Sequence, residues 1–318
     1  MHGLSLINGR LQFQTNLPQP KPQADEALVR VHLAGICATD LEMVRGYVPE
    51  FQGVLGHEFV GEVVSVPDVS WHGRRVVCSI NIGCGTCPLC LKSEPEHCPT
   101  RQVLGIHDRD GVFAEYVAVP LKNLHIVPDS IPDEGAAFTE PLAAAIRIRE
   151  QVLVRPTAKT AVIGPGRLGL LVGRVLALAG TEVTMLGRRT ASLELPAKWG
   201  LHTGLAADWP DNSFDLVVEV TGNEAGFAQA LRLVRPRGTL ILKSTFTGTS
   251  RLDLTKLVVA EINVVGSRCG PFAPALRLLE ANAVDVYSLI DAEFPLDDGL
   301  NAFKFAASKG VKKVLLRP

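Results

Sequence analysis

The hydrophobic rhythm of the chain changes near its middle. Up to about Ala145, short aliphatic runs such as Ala27 to Leu33, Val60 to Val66 and Arg75 to Ile80 are separated by Gly, Pro and Asp, which predicts a β-rich region. From about Lys159 the pattern becomes strand, glycine turn, apolar helix and strand again, with Thr160 to Ile163, Leu168 to Leu178 and Glu182 to Leu186 as the first unit. Further strands are expected at Leu216 to Val220, Thr239 to Leu242 and Asn263 to Val265, and helices near Glu224 to Leu233 and Pro274 to Ala281. A short β-rich tail follows. The expected class is therefore α/β. It combines a doubly wound parallel sheet over about 146–272 with a β-rich domain over 1–145, and a segment 273–318 that returns to the first domain.

Composition narrows the field. With 318 residues, 47% hydrophobic and 20% charged, the chain has material for two cores. Its 32 basic and 33 acidic side chains give a net charge of -1, which argues against a nucleic-acid partner. Apolar runs are broken by Gly or charge well short of a bilayer-spanning length, so no membrane span is expected. Met1-His2-Gly3-Leu4 begins no charged-then-apolar leader, and a cytoplasmic location with reduced thiols is expected.

Against that background the cysteines are informative. Cys84, Cys87, Cys90 and Cys98 are spaced Cys-x2-Cys-x2-Cys-x7-Cys, and Gly85, Thr86, Pro88 and Leu89 between them suit a tight irregular loop. Four thiolates so close together can wrap one tetrahedral zinc; two disulfides or free buried thiols are the alternatives. Upstream, Cys37 and Gly56-His57-Glu58 supply a second set of metal-binding residue types, so two zinc ions per chain are expected. Cys78 and Cys269 stand outside both sets and read as core or incidental thiols.

The first βα turn reads Gly164-Pro165-Gly166-Arg167-Leu168-Gly169, directly after an apolar strand and opening an apolar helix. This spacing suits a dinucleotide pyrophosphate, with the first Gly making the turn, the second admitting the phosphates and the third packing helix on strand. At the end of the second strand, where an acidic residue would bind the adenosine ribose of NAD, the chain has Gly187-Arg188-Arg189. Two guanidiniums and no carboxylate favour NADP over NAD; solvated loop charges are the plainer reading of the same residues.

Taken in order, Gly35-Ile36-Cys37-Ala38-Thr39-Asp40, Gly56-His57-Glu58, the cysteine lobe, Glu140-Pro141-Leu142-Ala143 and the glycine turn resemble the zinc-dependent medium-chain alcohol dehydrogenase family over nearly the whole chain. The Glu140-Pro141 pair is most similar to the sorbitol, glucose and threonine dehydrogenase branch. The resemblance implies a GroES-like catalytic domain beside a Rossmann domain, with the active site in the cleft between them. It further implies a catalytic zinc held by Cys37 and His57, with Glu58 and Glu140 as nearby carboxylates of which one or both coordinate. By the same analogy Thr39 accepts the substrate proton, Asp40 orients the zinc-bound histidine, and Lys312 reaches the cofactor pyrophosphate. The implied reaction moves a hydride between a secondary alcohol or polyol, or the matching carbonyl, and NADP(H), in a homodimer or homotetramer. Substrate choice would fall to residues near Tyr47, Phe51, Leu104 to His107 and Arg268 to Phe272.

Two departures from the family stand out. Glu42 replaces a histidine found in many relatives two positions after the Asp of this motif, and the chain is short, which implies a more open substrate pocket. Competing readings are a zinc-free reductase of the same fold, a cofactor-binding protein without catalysis, and a zinc-ribbon nucleic-acid module that the near-neutral charge disfavours.

Overall fold

The computed structural model describes residues 1–245 and 254–318. The chain divides into two units, Met1–Glu140 with Phe272–Pro318, and Pro141–Pro271. The helix Thr139–Gln151 carries the chain from one to the other.

The first unit is organised by the eleven-residue strand Glu26–Ile36, nearly all of which is buried. Around it a seven-stranded sheet runs in the order Leu124–Ile126, Arg75–Cys78, Glu58–Ser65, Glu26–Ile36, Lys313–Arg317 and Ile290–Pro295, with Tyr116–Pro120 also pairing to the central strand. The register sets Gly35 opposite Glu58 on one side and opposite Leu315 on the other. A smaller three-stranded sheet comprises Arg10–Gln14, Gly3–Ile7 and Gly53–Val54.

The tail is less purely β than its pattern suggests. Ile290–Pro295 and Lys313–Arg317 run parallel, and parallel neighbours cannot be joined by a tight hairpin. The helix Gly299–Ala306 makes the crossover, burying Ala302, Phe303 and Ala306 as one helical face. The helices Ala38–Val44 and Thr139–Gln151 likewise interrupt the region read as β-rich. The second of them buries Leu142, Ala143, Ala145, Ile146 and Ile148, which lie around most of the helix and do not follow the alternation of a strand.

In the second unit six parallel strands follow the spatial order His202–Leu205, Glu182–Gly187, Lys159–Ile163, Phe214–Glu219, Val234–Leu242 and Asn263–Gly266. In chain order this is 3-2-1-4-5-6, the doubly wound arrangement whose direction reverses beside its first strand. Buried Ala161, Ile163, Val217, Leu240, Phe227 and Leu231 fill one core between strands and helices. The outer strand Asn263–Gly266 has one strand neighbour among the described residues and exposes Val264, and the helix Leu254–Val259 exposes Leu254, Val258 and Val259. No helix among the described residues is long and apolar enough to cross a membrane.

The first βα turn depends on its glycines. Gly164 has φ +107°, a conformation that side chains disfavour, and a Cβ there would also approach the Val220 carbonyl oxygen at 2.9 Å. A Cβ on Gly169 would overlap the Gly164 carbonyl oxygen, so the helix sits on the strand at backbone contact distance. Gly169→Ala is therefore expected to destabilise the protein by about 1–3 kcal/mol and to weaken nucleotide binding, because the turn itself must shift. Thermal unfolding and a nucleotide titration check it, and unchanged values in both would exclude this role.

Candidate functional site

The site grows from the end of the central strand. Ile36 closes that strand, and Cys37 turns in an extended conformation to cap the helix Ala38–Val44. Asp40, in the first turn and fully buried, accepts the Cys37 backbone N–H through Oδ2 at 2.7 Å, and its Oδ1 lies 3.3 Å from His57 Nδ1. One carboxylate thus holds the helix start by a hydrogen bond and sets a negative charge beside the histidine ring. His57 and Glu58 enter the adjacent antiparallel strand after Gly56, whose φ of +95° and packing on the Phe113 ring at 2.6 Å from a notional Cβ leave space for no other residue.

The outcome is a convergence of three donors. One ligand atom each from Cys37, His57 and Glu58 lies within 4.8 Å of the other two, with the histidine and glutamate buried and the cysteine half-buried. Burial works against a charged imidazole, but the Asp40 carboxylate and the Cys37 sulfur outweigh it and hold the His57 pKa well above its ordinary value. The pocket attracts positive charge. Glu58 Oε1 is buried without a hydrogen-bond partner, while Oε2 accepts from the buried Lys313 ammonium. An orphaned carboxylate oxygen beside a thiol and an imidazole fits a divalent metal of zinc's preference, and with Nδ1 on the Asp40 side, Nε2 is the histidine nitrogen left to bind it.

The other residues singled out in the sequence are placed as follows. Thr39 is half-buried at the second position of the Ala38–Val44 helix. Glu140 opens the Thr139–Gln151 helix, is half-buried, and stands outside the three-donor cluster. Glu42 points its carboxylate to Arg45, 2.5 Å away, as an exposed ion pair. Lys312 is held by Asp291, both through its backbone N–H and through Nζ at 3.4 Å. The residue that sequence reasoning missed is its neighbour Lys313, buried against Glu58.

The cysteine lobe is a separate structure within the first unit. Backbone N–H groups point at its sulfurs: Cys84 to Cys98 Sγ at 3.4 Å, Cys87 to Cys84 Sγ at 3.3 Å and Cys90 to Cys87 Sγ at 3.4 Å. Hydrogen bonds from Thr86 and from the Cys87 backbone lower the Cys84 thiol pKa to about 5, and the Cys84 N–H and Thr100 lower that of Cys98. Donors aimed at sulfur favour thiolates, the form that binds metal. The four sulfurs lie within 4.8 Å of one another, none in a disulfide, and all seven cysteines are free. By contrast, burial pushes Cys78 up to about 12, which makes it an inert core thiol.

In the second unit the nucleotide turn has the expected form. Gly166 caps the helix Arg167–Ala177, which includes Leu168, and a Cβ at Gly166 would meet nothing within 4 Å. Space at the second glycine, with tight contacts at the first and third, is what a backbone open to a pyrophosphate requires. Arg188 and Arg189 follow the second strand and are exposed. Close by in the sheet, the buried Glu219 accepts from the Thr221 N–H and hydroxyl and from Ser244 Oγ, each at 2.5 Å, which ties together the ends of the strands Phe214–Glu219 and Val234–Leu242.

Residues 23–129 match the alcohol dehydrogenase GroES-like domain family and residues 168–281 the zinc-binding dehydrogenase family. An erythritol/L-threitol dehydrogenase from Mycolicibacterium smegmatis is 30% identical over 95% of this chain and 92% of its own length. The chain belongs to the zinc-type medium-chain alcohol dehydrogenase family. Two solved medium-chain dehydrogenase folds align over the entire chain and 99% of their own. One, assigned as a zinc-binding dehydrogenase from Sinorhizobium meliloti 1021 and bound to NADP, has a TM-score of 0.91 and 28% identity. The other is an alcohol dehydrogenase from Escherichia coli CFT073 complexed with NADH, with a TM-score of 0.92 and 25% identity. The β-rich domain of this dehydrogenase is thus of the GroES-like kind and its parallel sheet of the Rossmann kind.

For the lobe the expected outcome is structural. Cys84→Ser should lower the unfolding midpoint by about 10 °C or more, since a metal that binds only the folded loop stabilises it directly. Nucleotide binding should persist in the folded variant. Calorimetry with a parallel zinc assay checks this, and an unchanged midpoint at wild-type metal content would exclude it.

Proposed function

We propose that this protein is a zinc-dependent oxidoreductase that moves a hydride between a secondary alcohol or polyol, or the matching carbonyl, and NADP(H). The observation that carries the reading is the convergence of Cys37, His57 and Glu58, whose Oε1 is buried without a hydrogen-bond partner, in a chain that also has the glycine turn of a dinucleotide-binding sheet. Zinc at this site would polarise a substrate oxygen and lower the pKa of a bound hydroxyl.

The chain's own residues divide the remaining work. Asp40 faces Nδ1 of the histidine and so leaves Nε2 as the nitrogen to offer a metal. Thr39, half-buried one residue before Asp40, is the hydroxyl we assign to take the substrate proton. From there a relay has no histidine at position 42. Glu42, ion-paired with Arg45 at the surface, leaves the proton to be handed to solvent. Glu140, at the helix start outside the three donors, is assigned to orient rather than to bind tightly. The exposed Arg188 and Arg189, beyond a strand end with no carboxylate, support a 2′-phosphate on the cofactor, whereas Lys312 is engaged by Asp291. The polyol assignment draws on the erythritol/L-threitol relative.

Two experiments test this reading. Zinc per chain should be two for the purified protein and one for Cys37→Ala, with loss of turnover on secondary alcohols in the variant and retained NADPH binding. One ion in both proteins would favour the zinc-free or non-catalytic alternatives. Separately, Arg188→Ala with Arg189→Ala should reduce the NADP to NAD preference in kcat/KM by about tenfold or more, the loss of a charge-assisted bidentate contact. An unchanged ratio would remove the arginines from cofactor choice.

A further inference from the structure

We propose that Lys313 is a positioning residue that sets how Glu58 serves a metal ion: it occupies Oε2, leaving Oε1 as the single coordinating oxygen and making that oxygen a displaceable ligand. This inference rests on the metal reading of Cys37, His57 and Glu58. It goes beyond that reading in assigning a role to the cation on the other side of the carboxylate.

Three features of the fold converge on the pair. Both side chains are buried, 5% exposed for Lys313 and 1% for Glu58, so neither can exchange its partner for water without moving the sheet. Gly35, on the strand between them, makes the room: a Cβ there would stand 2.7 Å from Glu58 Oε2 and 3.4 Å from Lys313 Nζ. The Phe138 ring, 5.3 Å from Nζ at its centroid, braces the ammonium from another side.

Charge gives the arrangement its meaning. The Glu58 and Asp40 carboxylates bring two buried acidic groups to this cluster, Asp40 facing His57 and Glu58 held on its Oε2 side by the Lys313 ammonium. Because Lys313 already neutralises Glu58, a metal gains less from that carboxylate than it would from a free one. Replace the ammonium with an apolar side chain and the metal becomes the only cation available to the buried carboxylate, with both oxygens free to turn toward it. Binding tightens, and the position that a substrate oxygen needs is closed.

Cobalt(II) is the probe, loaded into the full-length chain and followed by its visible absorption and by competition with a chelator. The signal is assigned to the second site by its loss in Cys37→Ala. In Lys313→Met, affinity for this second ion should rise by at least about tenfold and its absorption band should change. In a Glu58→Gln background the same lysine substitution should change neither, because Lys313 acts through Glu58. Unchanged or weaker affinity, or an equal change in both backgrounds, would overturn the proposal. Should Lys313→Met fail to fold, Gly35→Ala keeps both charges and presses a methyl on Oε2; it should shift the cobalt band, and an unaltered band would overturn the proposal as well. A wild-type chain that takes up only one cobalt would overturn the metal reading and this proposal together. That result differs from two ions that ignore Lys313.

Discussion

A carboxylate almost wholly out of water must be matched by hydrogen-bond donors or positive charge, and Glu58 meets that requirement with a buried cation. Taking such an ion from water costs several kcal/mol, which well-placed donors and cations offset. Lys313 is one, and it arrives from the far end of the chain, 255 residues away. Much of the first unit follows from that meeting. The last strand has to lie against Glu26–Ile36, Gly35 has to lack a side chain, and the parallel pairing of the last strand with Ile290–Pro295 requires the crossover helix Gly299–Ala306. The C-terminal segment is thus part of the donor site's electrostatics as well as of the sheet.

The two cysteine-containing sites meet the same electrostatic problem in different ways. In the lobe, backbone N–H groups and a threonine hydroxyl point at the sulfurs of Cys84, Cys87 and Cys98 in a loop that is largely open to water, so desolvation is small and neutral donors suffice there. At Cys37, His57 and Glu58 the surroundings are strands with their backbone groups already paired, and full side-chain charges have to do the compensating. That difference suits a closed site in the first case and an open, adjustable one in the second.

Much of this was legible in the sequence, and the failures have physical causes. The 3-2-1-4-5-6 sheet follows from strand and helix periods with the glycine turn as an anchor, although the strand His202–Leu205, short and only partly buried, carries no such signal. The helix Thr139–Gln151 was hidden because alanines and a proline in its first turns blur an apolar stripe. Cys37, His57 and Glu58 were recognisable together because resemblance joins distant segments that spacing alone cannot. Lys313 was not: adjacent residues of a strand face opposite sides, and choosing between Lys312 and Lys313 requires knowing the register against Gly35 and Glu58. The run Lys312-Lys313 leading into Val314-Leu315-Leu316 was the one available sign, since a lysine inside a buried strand needs a partner.

The cofactor-specificity region shows packing and composition acting together. Gly187 is buried at the end of its strand, and a Cβ there would lie 2.9 Å from Ser192 Oγ, 3.2 Å from Leu193 Cδ2 and 3.2 Å from Pro165 Cγ. Pro165 belongs to the phosphate turn itself. A side chain at position 187 would therefore need the Ser192 hydroxyl, Leu193 and Pro165 of the phosphate turn to give way by a few tenths of an ångström. The next residues lie just beyond the end of the strand. There, two arginines stand exposed where a hydrogen-bond acceptor for a 2′-hydroxyl would otherwise be expected.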